Sequence, residues 1–259
     1  MTTITAVTNQ KGGVGKTATT LNVGGALAEG GHRVLLVDLD PQGHLTAALG
    51  LNAVHGAASL ASALTGEWSE SVDDLVVEHS TTPAAGRLSV IPTTPAMFLV
   101  GRQLDQLRAR EARLGRLLSQ LYDVDHVLID CPPTLDVLTD NALAAADGVV
   151  IPVQAEDSSL WALRILLAQI AAVDADLRET PLTLHGLVVS LLRRPPSLLA
   201  RSVLDRLDEL DLPVIATVPA SVTVGEAWRA GVPVTTYAPT SEHADAYRAI
   251  AKVLDGGAS

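Results

Sequence analysis

Hydrophobic residues fall along this chain in short dense runs separated by longer, sparser stretches. The runs at Ile4–Thr8, Val34–Asp38, Leu88–Pro92, His126–Asp130, Val149–Val153, Leu184–Ser190 and Val214–Val218 are apolar at most positions. Runs this short with little polar alternation are what strands covered on both faces by helices require. Between them apolar residues recur at helical spacing, which predicts helices over Lys16–Glu29, Asp136–Ala146, Ser158–Val173, Ser197–Leu210 and Ser241–Leu254. The first of these stops at Gly30-Gly31, a pair suited to a helix C-terminus. A further stretch, Ala96–Leu121, sets Leu104, Leu107, Leu114, Leu118 and Leu121 on one side and predicts one long helix. Thr94 is its expected N-cap and Pro95 its first helical residue. Leu51 to Gly86 is the least regular part, and short helices and loops capping a sheet edge are expected there.

Strands alternating with helices imply right-handed crossovers, hence an α/β fold with a doubly wound, mostly parallel sheet and helices on both faces. No Ser/Gly/Pro-rich linker and no repeat divides the 259 residues, so one domain over 1–259 is expected. No apolar run reaches the roughly 18 residues a membrane span needs. The longest candidate, Leu160 to Val173, is interrupted by Arg164 and Gln169. The N-terminus lacks the basic and apolar regions of a secretory signal. The single cysteine, Cys131, excludes a disulfide framework and a multi-thiolate metal site within one chain. A cytoplasmic setting is the expectation.

Charge sharpens this picture. Eighteen Lys+Arg against 29 Asp+Glu give a net charge of −11, which opposes broad attraction to nucleic acid or anionic lipid. Only three lysines occur, Lys11, Lys16 and Lys252, and two of them flank the glycines of one short segment. That clustering points to an anion site.

The segment in question, Asn9-Gln10-Lys11-Gly12-Gly13-Val14-Gly15-Lys16-Thr17, lies between the first strand and the first helix. Glycines there let successive N–H groups converge on phosphate oxygens, and the helix N-terminus adds partial positive charge. Lys16 then reaches the β/γ-phosphates and the Thr17 hydroxyl ligates Mg²⁺. A dinucleotide fingerprint, G-x-G-x-x-A, overlaps it at Gly13–Ala18 with Asp38 some twenty residues on. That pattern leaves Lys16, Thr17, Asp40 and Asp130 without a purpose. Nor is this the standard phosphate-loop spacing, since Gln10 stands where G-x-x-x-x-G-K-[ST] needs glycine.

Two strands end in acids. The second runs on as Asp38-Leu39-Asp40-Pro41-Gln42-Gly43, and the fourth as Asp130-Cys131-Pro132-Pro133. A parallel sheet brings both ends to its carboxyl edge beside the phosphate loop, where ligands bind. Asp130 is placed to hold Mg²⁺, and Asp40 to ligate it or orient the attacking water.

Lys11–Thr17 resembles the deviant phosphate loop of the ParA/MinD class of dimeric ATPases. Asp38–Gly43 resembles their D-x-D-P-Q-G switch, and Leu128–Pro133 their acidic strand end. Gly148–Glu156, Val218-Pro219, Glu226, Val232-Pro233-Val234 and Ala244–Arg248 follow the later pattern of the ParA partition ATPases. The resemblance implies an ATP- and Mg²⁺-dependent sandwich homodimer. Lys11 is then a signature lysine that reaches the partner's nucleotide, and Lys16 and Asp40 act in hydrolysis. The loop from Lys11 through Gly12, Gly13, Val14, Gly15, Lys16 and Thr17 to Ala18, with Pro219, holds the nucleotide. It further implies nonspecific DNA binding, a ParB-like or cargo-adaptor activator, and a nucleoid-associated role in segregating plasmid, chromosome or other cargo.

Departures matter too. Ala220-Ser221 stands where the family often carries a DNA-contacting arginine, and Ser190–Pro195 replaces its Asn-x-x-Asp. Arg193, Arg194, Arg201 and Arg206 are candidate substitute DNA contacts, with a solvated helix face as the alternative. Arg102, Arg108, Arg110, Arg113 and Arg116 alternate with acids and read as a solvated face. Two other members of the class offer alternatives: a MinD-like membrane-cycling regulator and a metabolic synthetase. The polar end Lys252–Ser259 argues against a membrane anchor, and the first strand at Ile4 against a preceding DNA-reading domain. The seven histidines lack ligand spacing and are expected at the surface or in caps, Cys131 in the core. The three tryptophans are too dispersed for a stacking platform.

Overall fold

The computed structural model describes residues 2–51, 58–81, 86–210 and 212–256. In chain order they form β1 (Thr3–Val7), α1 (Lys16–Glu29), β2 (Arg33–Asp38), α2 (His44–Ala48), α3 (Leu60–Thr65), β3 (Val77–Thr81), β4 (Arg87–Ile91), α4 (Met97–Leu104), α5 (Arg113–Leu118) and β5 (His126–Asp130). There follow α6 (Val137–Ala145), β6 (Gly148–Val153), α7 (Asp157–Leu177), β7 (Thr183–Leu192), α8 (Leu198–Asp208), β8 (Val214–Pro219), α9 (Val222–Arg229), α10 (Val234–Tyr237) and α11 (Glu242–Leu254). The sheet order is β3-β4-β2-β5-β1-β6-β7-β8. Every pairing is parallel except β3 with β4.

β5 and β6 are buried along their whole length, including the polar ends of β5, His126 and Asp130. One core lies on each side of the sheet. Leu35, Val37, Val127, Ile129 and Ile151 pack under α3–α7, and Leu36, Leu128, Val150 and Val188 under α1 and α11. The alternation along β2 and β5 sends neighbouring residues to opposite cores.

Every expected strand is present within a few residues, and the doubly wound architecture stands. Two expectations are corrected. Ala96–Leu121 is not one helix: α4 ends at Leu104, Ala109 turns left-handed (φ 48°), and a 3₁₀ turn at Arg110–Ala112 precedes α5. In its leucine stripe Leu104, Leu114 and Leu118 are buried and Leu107 and Leu121 partly so, but Asn141 of α6 intercepts the backbone. Its Nδ2 donates to the Arg110 carbonyl (2.8 Å) and its Oδ1 accepts from the Leu114 N–H (3.0 Å). Thr94 is likewise not the N-cap. Its carbonyl accepts from the Met97 N–H in a tight turn, and α4 starts at Met97. The Leu51–Gly86 stretch does contain the expected short helices and also the edge strand β3, while residues 52–57 and 82–85 lie outside the described ones.

Candidate active site

The carboxyl ends of β1, β2, β5 and β6 gather at one edge of the sheet, and the loop from β1 to α1 curls over them. Gly13 (φ 75°) and Gly15 (φ 88°) occupy the left-handed region, where a β-carbon would be strained. The loop's hollow is open, since a β-carbon on Gly12 or Gly13 would meet nothing within 4 Å. No side chain caps α1, so its first N–H groups and the positive end of its dipole are left to a ligand. The neighbouring strands hold the loop in place. Ser190 Oγ at the end of β7 bonds to the Val14 carbonyl at 2.5 Å, and Gln154 Nε2 donates to the Gly13 carbonyl at 3.1 Å. Asn9 bridges β6 and the loop, donating to the Pro152 carbonyl and accepting from the Lys11 N–H.

The two lysines of this loop live differently. Lys16 is buried, with Nζ donating to the Lys11 carbonyl at 3.3 Å. Burial pushes its pKa down, and the nearby Asp130 and Asp40 oppose that. Lys11 lies at the loop's rim, paired with Glu156 and donating to Ser158 Oγ at 2.9 Å.

Beneath the loop sit three carboxylates. Asp38 and Asp130 are register partners on β2 and β5 and are fully buried. Asp38 Oδ2 accepts from the Thr46 N–H (2.8 Å) and hydroxyl (2.6 Å); its Oδ1 has no hydrogen-bond partner among the described residues. Asp130 Oδ1 accepts a long bond from the Thr20 hydroxyl (3.4 Å), and its Oδ2 has none among the described residues. Burial first, and repulsion from neighbouring acids second, raise both pKa values, Asp38 to about 6 and Asp130 well above the carboxylate range. The nearby Thr17 hydroxyl and the charge of Lys16 partly offset this at Asp130. The third, Asp40, turns its Oδ1 to the Gln42 N–H at 2.9 Å.

An unpartnered buried carboxylate oxygen beside a threonine hydroxyl and a buried lysine is the donor chemistry of a hard divalent cation on a polyphosphate. The residues present fit that pair of ligands. Together they can bind an anion, neutralise it and position water against it.

Residues Lys11 to Ala18, Asp40 and Asp130 thus meet at one edge. Pro219 ends β8 at the sheet's far side, its carbonyl 3.2 Å from His243 Nε2 of α11. Arg193 lines a cleft of about 530 Å³ with Gln154, Glu156, Leu191, Leu199 and Ala220. Arg194 is paired with Glu242 at 2.5 Å, Arg206 lies 3.8 Å from Asp157, and Arg201 is exposed. Sequence reasoning missed the Asp38–Thr46 clamp, the Glu156–Lys11 pair and Ser190 as the loop's anchor. Only Asp38 carried a signal, as an acid at a strand end.

Comparison with known proteins follows the same outline. Residues 2–182 match the family described as an AAA domain, AAA_31. The chain is similar to the chromosome-partitioning ATPase Soj of Thermus thermophilus, with 42% identity over 249 residues, 95% of this chain and 93% of that protein. It is 38% identical over 253 residues to the sporulation initiation inhibitor protein Soj of Bacillus subtilis, covering 96% of each. Its structure is similar to that of cobyrinic acid a,c-diamide synthase from Mycobacterium smegmatis with bound ATP analogue and magnesium. There the TM-score is 0.80 at 34% identity, over 97% of this chain and 93% of that one.

Proposed function

This chain belongs to the ParA/MinD class of P-loop ATPases, and from that premise we propose that it is a ParA-like partition ATPase. It binds ATP with Mg²⁺, closes into a sandwich dimer, binds DNA without sequence preference, and hydrolyses ATP to segregate or position cargo. A ParB-like or cargo-adaptor protein stimulates the turnover. Its place is the cytoplasm, on the nucleoid.

The observation that carries this reading is the contrast between the two lysines of one loop. Lys16 is buried where it serves the chain's own phosphates. Lys11 is held outward by Glu156 and Ser158, at the rim a second subunit would meet. Exposed apolar side chains stand nearby, with Trp161 at 68% and Leu199 at 54%. Leu191 and Leu199 line the same cleft as Glu156, a surface that a closing partner would cover.

In this reading the loop amides, Lys16, Thr17 and Ala18 bind the phosphates, and Pro219 bounds the nucleotide pocket. Thr17, Asp130 and Asp40 hold Mg²⁺, which supplies charge neutralisation at the phosphoryl oxygens. Asp40 also orients the attacking water, its carboxylate fixed by the Gln42 N–H. Lys11 gives up Glu156 for the partner's nucleotide, so assembly is coupled to occupancy.

Light scattering after gel filtration with ATP, ADP or no nucleotide tests it. Lys11→Ala should bind ATP yet remain monomeric and inactive; an unchanged ATP dimer overturns the role of Lys11. Asp40→Ala should accumulate as the ATP dimer, and a wild-type ATPase rate removes Asp40 from catalysis. DNA anisotropy at two salt concentrations, with Arg193, Arg194 and Arg201 replaced by alanine, tests the DNA face. A second reading is an ATP-dependent amidating synthetase, the activity named for the Mycobacterium smegmatis structure. The cleft of about 530 Å³ beside Glu156 is room for an acceptor. Turnover that requires an amide nitrogen donor and ignores DNA would favour it.

A further inference from the structure

Far from the phosphate loop, at the amino edge of the sheet, three segments distant in sequence converge. His32 follows the C-terminus of α1, His126 opens β5, and Asp255 caps the C-terminus of α11. His32 Nε2 lies 3.3 Å from Asp255 Oδ1, and His126 Nε2 lies 3.7 Å from the same oxygen. The imidazole rings meet edge-on with centroids 4.9 Å apart. One donor atom from each residue falls in a group whose members are all within 4.8 Å of one another.

We propose that His32, His126 and Asp255 form a binding site for a divalent transition-metal cation of the zinc class. Two imidazole nitrogens and one carboxylate oxygen are a donor set such ions take. In a tetrahedral site with bonds of about 2.0–2.1 Å, donor atoms stand about 3.3–3.4 Å apart. The His32–Asp255 edge already has that length, and the His126–Asp255 edge is a few tenths longer. His126 is buried and fixed by β5, while His32 and Asp255 are 29% and 50% exposed and have room to adjust.

Two further features favour a cation here. α1 and α11 both end at this corner, so the negative ends of two helix dipoles point toward it. The neighbouring carboxylate, Asp125, is already taken by Arg33 through its backbone N–H, Nε and Nη2, which leaves Asp255 as the oxygen ligand. The corner opens into a cleft of about 360 Å³, lined by His32, His126, Asp255 and Gly256 among others. That opening admits the ion and leaves a coordination position for water.

A metal bound here ties together the far ends of α1, which leads from the phosphate loop, and of β5, which ends in Asp130. It is a staple on the nucleotide-binding elements at the end away from the nucleotide.

The test uses the full chain, stripped of metal, without nucleotide and with Mg²⁺ in excess. Zinc titrated by calorimetry should bind with one tight site per chain, and zinc should raise Tm in a way EDTA reverses. Asp255→Asn, at an exposed side chain, and His32→Gln, at a partly exposed one, should each weaken that site at least about tenfold. Their metal-free Tm should match the wild type, which separates loss of a ligand from loss of the fold. Cobalt should give the visible absorption of a four-coordinate site in the wild type and lose it in both variants. Absence of a tight zinc site, or a smaller loss of affinity in either variant, overturns the proposal.

Discussion

At the carboxyl edge of the sheet Asp38 and Asp130 are buried side by side with one oxygen each left unpartnered. At the amino edge the Asp125 carboxylate accepts three hydrogen bonds from Arg33, at 2.6–3.0 Å. Lys16, too, is buried at the first edge, its Nζ bonded to a carbonyl at 3.3 Å, whereas Arg248 at the surface is shared between Glu29 and Asp245. Folding alone favours the second arrangement, because an unpartnered buried charge costs more than its pairing returns. In the proposed function a ligand completes the first. On that proposal, the difference teaches where selection for stability gave way to selection for binding.

The largest effect expected is at Asp130. Asp130→Asn should lower ATP turnover at least roughly a hundredfold, since a proposed ligand of the Mg²⁺ that neutralises the phosphoryl oxygens is lost. The nucleotide-free variant should nevertheless unfold at higher urea than the wild type. A lower urea midpoint would mean that Asp130 is a structural residue like Asp125, and the contrast between the edges would collapse.

Next comes the pH dependence of Asp38. Its folded pKa is raised to about 6 from an ordinary 3.8. Between those values the native state keeps a proton the unfolded chain has released, so this group's contribution to stability falls as pH rises through about 4 to 6. The shift corresponds to about 3 kcal/mol at most. Asp38→Asn should remove that slope, and denaturation midpoints of both proteins across pH 4–7 measure it. Parallel curves would show that Asp38 ionises as freely in the fold as out of it.

The smallest effect has the opposite sign. Arg33 holds the Asp125 carboxyl well below the usual carboxylate range, chiefly through its side-chain hydrogen bond. Its contribution is present above the unfolded pKa and is lost as pH falls below about 4. About a third of the Asp125 side chain is exposed, so solvent weakens the pair. Asp125→Asn should therefore destabilise at pH 7 and approach neutrality in acid, by thermal unfolding at both pH values. A deficit that persists undiminished at low pH would assign the loss to packing instead.

How much of the site could be read in advance depended on how local its cause was. The glycine and lysine pattern of 11–17 acts on the backbone of its own few residues, and the acids at 38, 40 and 130 follow strand ends. Lys11 and Glu156 are 145 positions apart, and nothing near either marks the other. The helix expected over 96–121 failed for a similar reason. Its leucines carried the right period, but Asn141 captured backbone groups at Arg110 and Leu114 that a continuous helix needs. The histidines also looked scattered, and only the strand order brings His126 against His32.

By itself, then, the amino-acid order determined the alternation of strands and helices, the phosphate loop, and the edge at which its acids must emerge. Those follow from periodicity, backbone freedom and the direction of parallel strands, all of which act over a few residues. Tertiary structure alone decided that Asp38 and Asp130 are neighbours, that Glu156 holds Lys11, and that two histidines share one carboxylate. Such pairings depend on which strands lie side by side, a choice made by the packing of two whole cores.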